Sequence, residues 1–277
     1  MYTRCANKFE YNELRNLWYQ AFGDGADYID QLYGILKAEG FILVDENQIK
    51  SCLTIFDVGT FDDKIVTECY AICTEINERG KGYASKLTED VRDELLDLGR
   101  LPLICPASES LISFYEGLQF DKFFYVNETA EKVCDDVILS IKKINPHKYN
   151  EYREVFLSGI PHIKLYDNFL EFIRFDSHKS DGLLLINDGD AVCVLESVDD
   201  NTVVLSELII NPKLESLSSE IKYQIANGIA STLNAKNYVF KNPVNSSSDF
   251  LTQGMIAGKV NIKWDSNVVP YFGFPIE

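Results

Sequence analysis

Residues 69–120 read CYAICTEINERGKGYASKLTEDVRDELLDLGRLPLICPASESLISFYEGLQF, and this stretch sets the expected architecture. It continues a run from Lys64 to Glu75 in which β-branched residues alternate with others, so a strand is predicted there. Asn77 to Gly82 is polar and carries two glycines, which is typical of a turn. Tyr83 to Leu98 then repeats apolar residues every three or four positions, the spacing of an amphipathic helix. The sequence therefore predicts a strand, a glycine-bearing turn and a helix in direct succession.

The turn between the strand and the helix has the features of a phosphate-binding loop. A helix that begins there leaves several backbone N–H groups unpaired at the positive end of its dipole. Gly80 and Gly82 permit positive φ angles and a close approach of a ligand to the backbone. Arg79 and Lys81 add charge that could neutralise a pyrophosphate. An ordinary strand-to-helix turn would account for the two glycines about equally well.

Two common phosphate loops do not match this turn. The Walker loop requires Gly-Lys-Ser/Thr after four intervening residues, whereas the fifth residue after Gly80 is Ser85. The dinucleotide fingerprint requires a third glycine three residues after Gly82, and Ser85 stands there. The sequence excludes both patterns.

The turn resembles the acetyl-CoA loop of the GNAT (Gcn5-related N-acetyltransferase) superfamily, which is written Arg/Gln-x-x-Gly-x-Gly/Ala. Here it is spelled by Arg79 to Ala84. Ala71 to Thr74 resembles the end of the family's fourth strand. Ser113 to Phe120 resembles its tyrosine-bearing segment, with Gln119 where glycine is usual. The resemblance covers residues 1 to 145, about half of the chain.

The resemblance implies an α/β fold with a mixed sheet, the acyl-CoA N-acyltransferase fold. It also implies acetyl-CoA as co-substrate, with the backbone of Arg79 to Ala84 around the pyrophosphate and no metal. The segment around Phe22 to Tyr33 is similar in position to the substrate lid that varies most in the family. The residues implied at the cofactor are Cys73, Thr74, Glu75, Arg79, Gly80, Lys81, Gly82, Tyr83, Ala84, Ser110 and Phe114.

Tyr115 matches the tyrosine that protonates the departing thiolate in many members of the family. A phenol, with a pKa of about 10, is protonated at neutral pH, so it can donate a proton to a thiolate. The alternative is that Tyr115 is a packing aromatic beside Phe114 and Phe120.

Glu68 is the candidate general base. Strand alternation predicts that it shares a face with Tyr70, Ile72 and Thr74, and an apolar strand would raise the pKa of its carboxyl. A solvated strand charge is an equally good interpretation. Glu75, the C-terminal carboxylate of Glu277 and a water molecule remain alternatives as the base.

Length and composition limit the classes of protein to which the chain can belong. At 277 residues the chain exceeds the roughly 150 residues of one domain, so two domains are expected. No apolar run reaches the ~18 residues of a membrane span. The first residues, MYTRCANKFEYNELRN, lack a signal-peptide pattern, which favours a cytoplasmic protein.

Cysteine and histidine usage bears on metal binding, and the net charge bears on the class of partner. Seven cysteines without a CxxC pair, and three histidines without ligand spacing, favour reduced thiols and no metal site. A formal charge of −17 argues against nucleic-acid and anionic-membrane partners. It suits a small-molecule amine substrate, although solubility explains it as well. The sequence leaves open whether the protein forms a homo-oligomer.

The order of predicted elements in residues 1–145 is β-α-α-β-β-β-α-β-α, which resembles the GNAT layout. A composition change at Pro146 places the domain boundary near 145. In residues 146–277, strands are predicted at Phe169 to Phe175, Gly182 to Asn187, Ala191 to Ser197 and Thr202 to Ile210. A helix from Leu217 to Leu233 and a strand from Tyr238 to Lys241 follow. This order repeats the first half without its glycine loop, so we expect a tandem arrangement with a degenerate second copy.

The sequence predicts an acetyl-CoA-dependent N-acetyltransferase. Two fused domains suggest an enclosed pocket, which favours a small amine as acceptor over a protein or peptide. A non-catalytic acyl-CoA-binding or regulatory module is the alternative from another class.

Overall fold

The structure is a computed structural model that describes residues 1–134, 137–176, 182–196, 201–244, 250–261 and 268–276, with the backbone alone for 215–219. The chain forms two compact units. The first comprises Met1–Phe123 and the described part of Gly254–Ile262. The second comprises the described parts of Phe124–Gln253 and Lys263–Ile276. The assignment of domains to 1–145 and 146–277 stays a prediction; the compact units divide the chain earlier, and a late segment returns to the first unit.

The first unit contains a mixed sheet with helices on both faces. Its strands lie in the order β1-β2-β3-β4-β5, antiparallel except for the parallel pair β4–β5. Met255 and Ile256 add an antiparallel pairing to β5. The elements are β1 (Tyr2–Cys5), α1 (Tyr11–Phe22), α2 (Ala26–Leu36), β2 (Glu39–Asp45), β3 (Gln48–Phe61), β4 (Lys64–Thr74), a 3-10 turn (Ile76–Glu78), α3 (Tyr83–Asp97), β5 (Leu101–Ile104) and α4 (Glu109–Gly117). The predicted element order is confirmed.

Two apolar clusters cover the two faces of this sheet. Leu87 and Val91 of α3 pack on one face with Leu53, whereas Leu14 of α1 packs on the other with Cys52. Adjacent strand residues point to opposite faces, so α1 and α3 lie on opposite sides of the sheet.

The predicted helix from Tyr83 to Leu98 is one residue longer than the observed one. Leu98 is 66% exposed because α3 ends at Asp97 and leaves it outside the buried stripe. The difference falls at the end of a helix, where periodicity is least informative.

A β-bulge interrupts β4 at Ala71. Tyr70 pairs with Thr54, whereas Cys73 pairs with Cys52, so β4 uses one more residue than β3 between these pairs. Ala71 has a φ of 49°, which is rare for a residue with a side chain.

The bulge reverses the alternation of the residues that follow it. Ile72 packs in the cluster on the α3 side, and Cys73 packs in the cluster on the α1 side. The expectation that Glu68, Tyr70, Ile72 and Thr74 share one face is therefore wrong, because strict alternation ends at the bulge.

The second unit contains a sheet in the order β6-β12-β11-β10-β9-β7. Its only parallel pair among the described residues is β11–β12, and α7 packs on those two strands. The elements that follow α4 in the chain are β6 (Asp121–Lys132), β7 (Ile141–Lys143), α5 (Pro146–Phe156), β8 (Lys164–Leu165), α6 (Asp167–Asp176), β9 (Leu183–Ile186), β10 (Ala191–Glu196), β11 (Thr202–Ile210), a 3-10 segment (Pro212–Leu217), α7 (Ser218–Thr232), β12 (Asn237–Asn242) and β13 (Leu251–Ile256). The end of β13 belongs to the first unit.

One predicted strand of the second half is a helix. The segment Phe169 to Phe175 lies in α6, whose buried residues Phe169, Leu170, Phe172 and Ile173 have helical spacing. The predicted strands that became β9 to β12 and the predicted helix that became α7 are confirmed.

None of the seven cysteines, all of which lie in the described ranges, forms a disulfide, and four of them are buried: Cys52, Cys69, Cys73 and Cys193. In the part of the chain that the structure describes, no helix is long and apolar enough to cross a membrane.

Candidate active site

A cavity of about 620 Å³ opens in the first unit where β4 ends and α3 begins. Four elements contribute its walls: the end of α1, the end of β4, the loop into α3 with its first turn, and α4. The lining residues are Ala21, Phe22, Ile72, Cys73, Thr74, Glu78, Arg79, Gly80, Gly82, Tyr83, Ala84, Ser85 and Phe114.

The loop presents unpaired backbone donors to this cavity. Gly80 and Gly82 have φ angles of 77° and 82°, a left-handed conformation that glycine adopts without strain. The N–H groups of Gly82, Tyr83, Ala84 and Ser85 have no hydrogen-bond acceptor among the described residues. They lie at the positive end of the dipole of α3, an arrangement that binds anions, phosphate above all.

The positive charge beside the loop is carried by one arginine. The Lys81 ammonium forms an ion pair with Glu78, which also binds the Lys50 ammonium at 2.8 Å. Hydrogen bonds from Lys50 and Lys81 lower the pKa of the Glu78 carboxyl. Arg79 donates only to the Thr74 carbonyl, at 3.3 Å, and has no ion pair among the described residues. Arg79 is therefore the cation at the cavity whose charge is not already balanced.

The cavity brings together most of the residues expected at a cofactor. Those that line it are Cys73, Thr74, Arg79, Gly80, Gly82, Tyr83, Ala84 and Phe114. Glu75, Lys81 and Ser110 are not among the lining residues. The Glu75 carboxylate accepts the Asn77 N–H at 2.9 Å and caps the 3-10 turn, and the Ser110 hydroxyl lies 2.8 Å from that of Ser108.

Five lining residues were not among the predicted cofactor residues: Ala21, Phe22, Ile72, Glu78 and Ser85. Phe22 falls at the start of the predicted substrate lid, so its position was indicated although its contact with this cavity was not. Ile72 reaches the α3 side because of the bulge, and no sequence pattern signals that bulge.

Glu68 is a buried acid at the point where two parallel strands separate. It is 1% exposed, and its Oε2 atom has no hydrogen-bond partner. Burial raises the pKa of its carboxyl to about 8, and a hydrogen bond from the Cys105 thiol lowers it by less. Glu68 pairs with Leu103 in the last parallel pair of β4 and β5, beyond which β4 continues to Thr74.

Tyr115 is a buried phenol on α4. It is 9% exposed, and burial, followed by the charges of Cys69 and Cys105, raises its pKa to about 12. Its ring contacts Phe114 and Phe120, with centroids 5.1 and 6.4 Å away. Phe114 lines the cavity whereas Tyr115 does not.

Cys105 connects the two predicted catalytic residues. It lies immediately after β5, donates a hydrogen bond to Glu68, and interacts electrostatically with Tyr115. The structure thus brings an acid and a phenol, far apart in sequence, to the same strand end. Glu277, whose C-terminal carboxylate is an alternative base, lies outside the described residues.

No protein-family model and no curated protein matches this chain. Solved structures do. The GCN5-related N-acetyltransferase from Kribbella flavida superposes with a TM-score of 0.66 and 12% identity, over 92% of this chain and 70% of that one. The GCN5-related N-acetyltransferase from Anabaena variabilis superposes with a TM-score of 0.64 and 12% identity, over 92% of this chain and 72% of that one. The one from Sphaerobacter thermophilus superposes with a TM-score of 0.52 and 10% identity, over 97% of this chain and 98% of that one.

These likenesses show that the chain has the fold of the GCN5-related N-acetyltransferases. They confirm the α/β class with a mixed sheet that the loop and its flanking elements predicted.

Proposed function

We propose that the protein is an acetyl-CoA-dependent N-acetyltransferase that acts on an amine of a small molecule. The observation that carries the proposal is the set of unpaired N–H groups from Gly82 to Ser85 on the wall of the 620 Å³ cavity. A coenzyme A molecule carries a diphosphate and an extended apolar arm. The N–H groups of the loop suit the diphosphate, and the Ile72 and Phe114 side chains suit the apolar arm.

The cofactor is held in this proposal by main-chain donors and one charge. The N–H groups of Gly82 to Ser85 and the Arg79 guanidinium bind the diphosphate, because charge-assisted hydrogen bonds are the strong ones. The pantetheine arm lies along the end of β4, beside Cys73 and Thr74. A backbone N–H at that strand end donates to the thioester carbonyl, and losing such a donor costs about 100-fold or more in rate.

Transfer requires the amine to lose a proton. The ammonium first gives one proton to the Glu68 carboxylate. The neutral nitrogen then attacks the thioester carbon, the carbon–sulfur bond breaks with its electron pair on the sulfur, and the second proton that the nitrogen loses replaces the one that Tyr115 gives to the thiolate. A carboxyl with a pKa of about 8 is well matched to this task near neutral pH. Its unpaired Oε2 atom gives the proton an acceptor that no other described group occupies.

The departing thiolate is stabilised by Tyr115. With a pKa of about 12 the phenol keeps its proton across the working pH range. It therefore acts first as a hydrogen-bond donor to the sulfur and completes proton transfer as the thiolate leaves. The burial of Tyr115 outside the cavity lining also fits a packing role, which favours the alternative of a non-catalytic acyl-CoA-binding module.

The second unit is proposed to lack a cofactor site of its own. Where the first unit has a glycine loop, the second has Asn211 to Leu214. The Asn211 carbonyl accepts the Leu214 N–H at 2.9 Å, and its side chain accepts the Lys213 N–H at 3.1 Å. These donors are already paired, so they are not offered to a phosphate.

Calorimetry of the full chain with acetyl-CoA tests the proposal. We expect binding with one site per chain and release of free CoA when an amine acceptor is present. The absence of any binding heat would overturn the proposed function. Two sites per chain would overturn the asymmetry between the units, and binding without turnover on a broad panel of amines would favour the module.

A further inference from the structure

An aromatic wall stands at the end of α1, with Phe22 at the cavity and Trp18 and Tyr70 behind it; of these three rings only Phe22 lines the cavity. Phe22, at the end of α1, lines the cavity and is 50% exposed. Behind it, the Trp18 ring contacts both Phe22 and Tyr70, with centroids 6.4 and 5.6 Å away. Phe56 packs on Tyr70 at 5.7 Å, and the hydroxyl groups of Tyr28 and Tyr70 are 3.0 Å apart.

Tyr70 of this aromatic wall shares a face of β4 with the buried acid Glu68. Tyr70 follows Glu68 by two residues on β4, before the bulge at Ala71, so the two side chains share a face. The face is the α1 side, because Tyr70 contacts Trp18. Glu68 therefore lies on the same side of the sheet as the aromatic rings, although its side chain is buried and does not line the cavity.

The cavity offers little negative charge. Among the described residues that line it, the only carboxylate is Glu78, and Glu78 is balanced by Lys50 and Lys81. The nearby Asp24 carboxylate accepts the Trp18 indole N–H at 2.7 Å. Among the described residues that line the cavity, no carboxylate is therefore left without a paired cation.

We propose that the acceptor is a monoamine carried on an aromatic or similarly bulky apolar group, and that the Phe22–Trp18–Tyr70 wall selects it. This inference rests on the proposed acetyltransferase function and names the class of its substrate. The apolar group packs on Phe22, and the single ammonium approaches Glu68.

The balance of charge disfavours a polycation. A second or third ammonium in this cavity would lose water without gaining a carboxylate, which is costly. An apolar group on the acceptor, by contrast, binds more favourably with each aromatic ring that it covers, because apolar surface is removed from water.

Three amines distinguish the classes when CoA release by the full chain is measured at matched concentrations: 2-phenylethylamine, n-propylamine and spermidine. We expect kcat/KM for 2-phenylethylamine to exceed that for each of the others by about tenfold or more. A preference for spermidine or equal use of n-propylamine would overturn the inference while leaving the acetyltransferase function standing. Acetyl-CoA binding without acetylation of any of the three would also overturn it, and an absence of acetyl-CoA binding would overturn the proposed function itself.

The variant Phe22→Ala tests the wall directly, with Tyr19→Ala as its matched control. Tyr19 lies on the same helix, is 63% exposed and does not line the cavity. We expect Phe22→Ala to lower kcat/KM for 2-phenylethylamine about tenfold, with little change for n-propylamine and with acetyl-CoA affinity kept. Equal losses for both amines, or an equal loss in Tyr19→Ala, would contradict selection by the wall.

Discussion

Arg153 and Glu207 form an ion pair that is completely buried in the second unit, with Nε 3.1 Å from Oε1. Tyr149 donates its hydroxyl proton to the other carboxylate oxygen at 2.6 Å. The Nη1 and Nη2 atoms of Arg153 donate to the carbonyl oxygens of Ile163 and Phe272, each at 2.7 Å. The pair therefore attaches the carboxyl-terminal segment to the core of this unit. Each charge of the pair is balanced by the other, and both groups make further hydrogen bonds to their neighbours.

Replacing Glu207 by glutamine leaves the Arg153 charge buried without a counter-charge. We expect a loss of about 3–5 kcal/mol in the free energy of unfolding, measured by urea denaturation. The control is Glu151→Gln, which removes the exposed partner of Lys148 and should cost no more than about 1 kcal/mol. Similar losses in both variants would contradict the role given to the buried pair.

Gly273 lies against this pair in a conformation that only glycine adopts easily. Its φ is 123°, and a Cβ atom would stand 2.7 Å from Glu207 Oε1 and 3.0 Å from Arg153 Nη2. We expect Gly273→Ala to destabilise the second unit and to expose the carboxyl-terminal segment to proteases. Limited proteolysis with mass spectrometry measures this, and an unchanged cleavage pattern with an unchanged melting temperature would refute it.

Gly82→Ala tests the phosphate loop. The left-handed φ of 82° costs a residue with a side chain about 1–2 kcal/mol. The added methyl group also stands where a diphosphate would approach the loop, so we expect acetyl-CoA affinity to fall about tenfold or more. Gly34→Ala is the matched control, since Gly34 lies inside α2 with open space around it and its replacement should stabilise the helix by about 0.5–1 kcal/mol. Unaltered affinity in Gly82→Ala would remove the loop from the binding site.

The raised pKa of Glu68 predicts a pH dependence of activity. A base must be deprotonated to accept a proton, so kcat/KM should rise with pH and level off above about pH 8. We expect Glu68→Gln to lose about 100-fold or more in kcat and to lose this rise, with acetyl-CoA affinity unchanged. The pH profiles of the two proteins make the comparison, and a rise that persists in the variant would assign it to another group.

The same shift predicts a pH dependence of stability. In the unfolded protein the pKa of the Glu68 carboxyl is about 4.3, well below its pKa of about 8 in the folded protein. Between these values the folded state keeps a proton that the unfolded state releases. This contribution to stability is fully present below about pH 4 and is lost as pH rises towards 8. Glu68→Gln should flatten the slope of unfolding free energy between these limits. A parallel slope in both proteins would mean that Glu68 is not a buried neutral acid.

Tyr115→Phe separates an enzyme from a binding module. Removing the hydroxyl keeps the ring contacts with Phe114 and Phe120, so we expect acetyl-CoA affinity and melting temperature to stay unchanged. Single-turnover acetyl transfer should slow about 100-fold because the thiolate loses its hydrogen-bond donor. Tyr19→Phe, on the exposed face of α1, is the control and should react as the unaltered protein does. Full activity of Tyr115→Phe would assign Tyr115 to packing alone.

Much of the first unit could be predicted from local patterns. The glycine loop, the amphipathic stripe from Tyr83 and the strand that ends before Glu75 each express a rule that operates within a few residues, and all three elements occur where they were expected. The order of elements and the class of fold followed from them. The helix α6 was mistaken for a strand because a short aromatic run satisfies both periods.

The tertiary structure alone settled which side chains meet. The bulge at Ala71 moves Ile72 to the opposite face, and it arises from pairing with β3, a partner that local sequence does not specify. The aromatic wall joins Phe22 to Tyr70 across two elements, and the Arg153–Glu207 pair joins positions more than fifty residues apart. Backbone preferences are properties of a segment, whereas these contacts depend on how separate segments pack, so only the folded chain determines them.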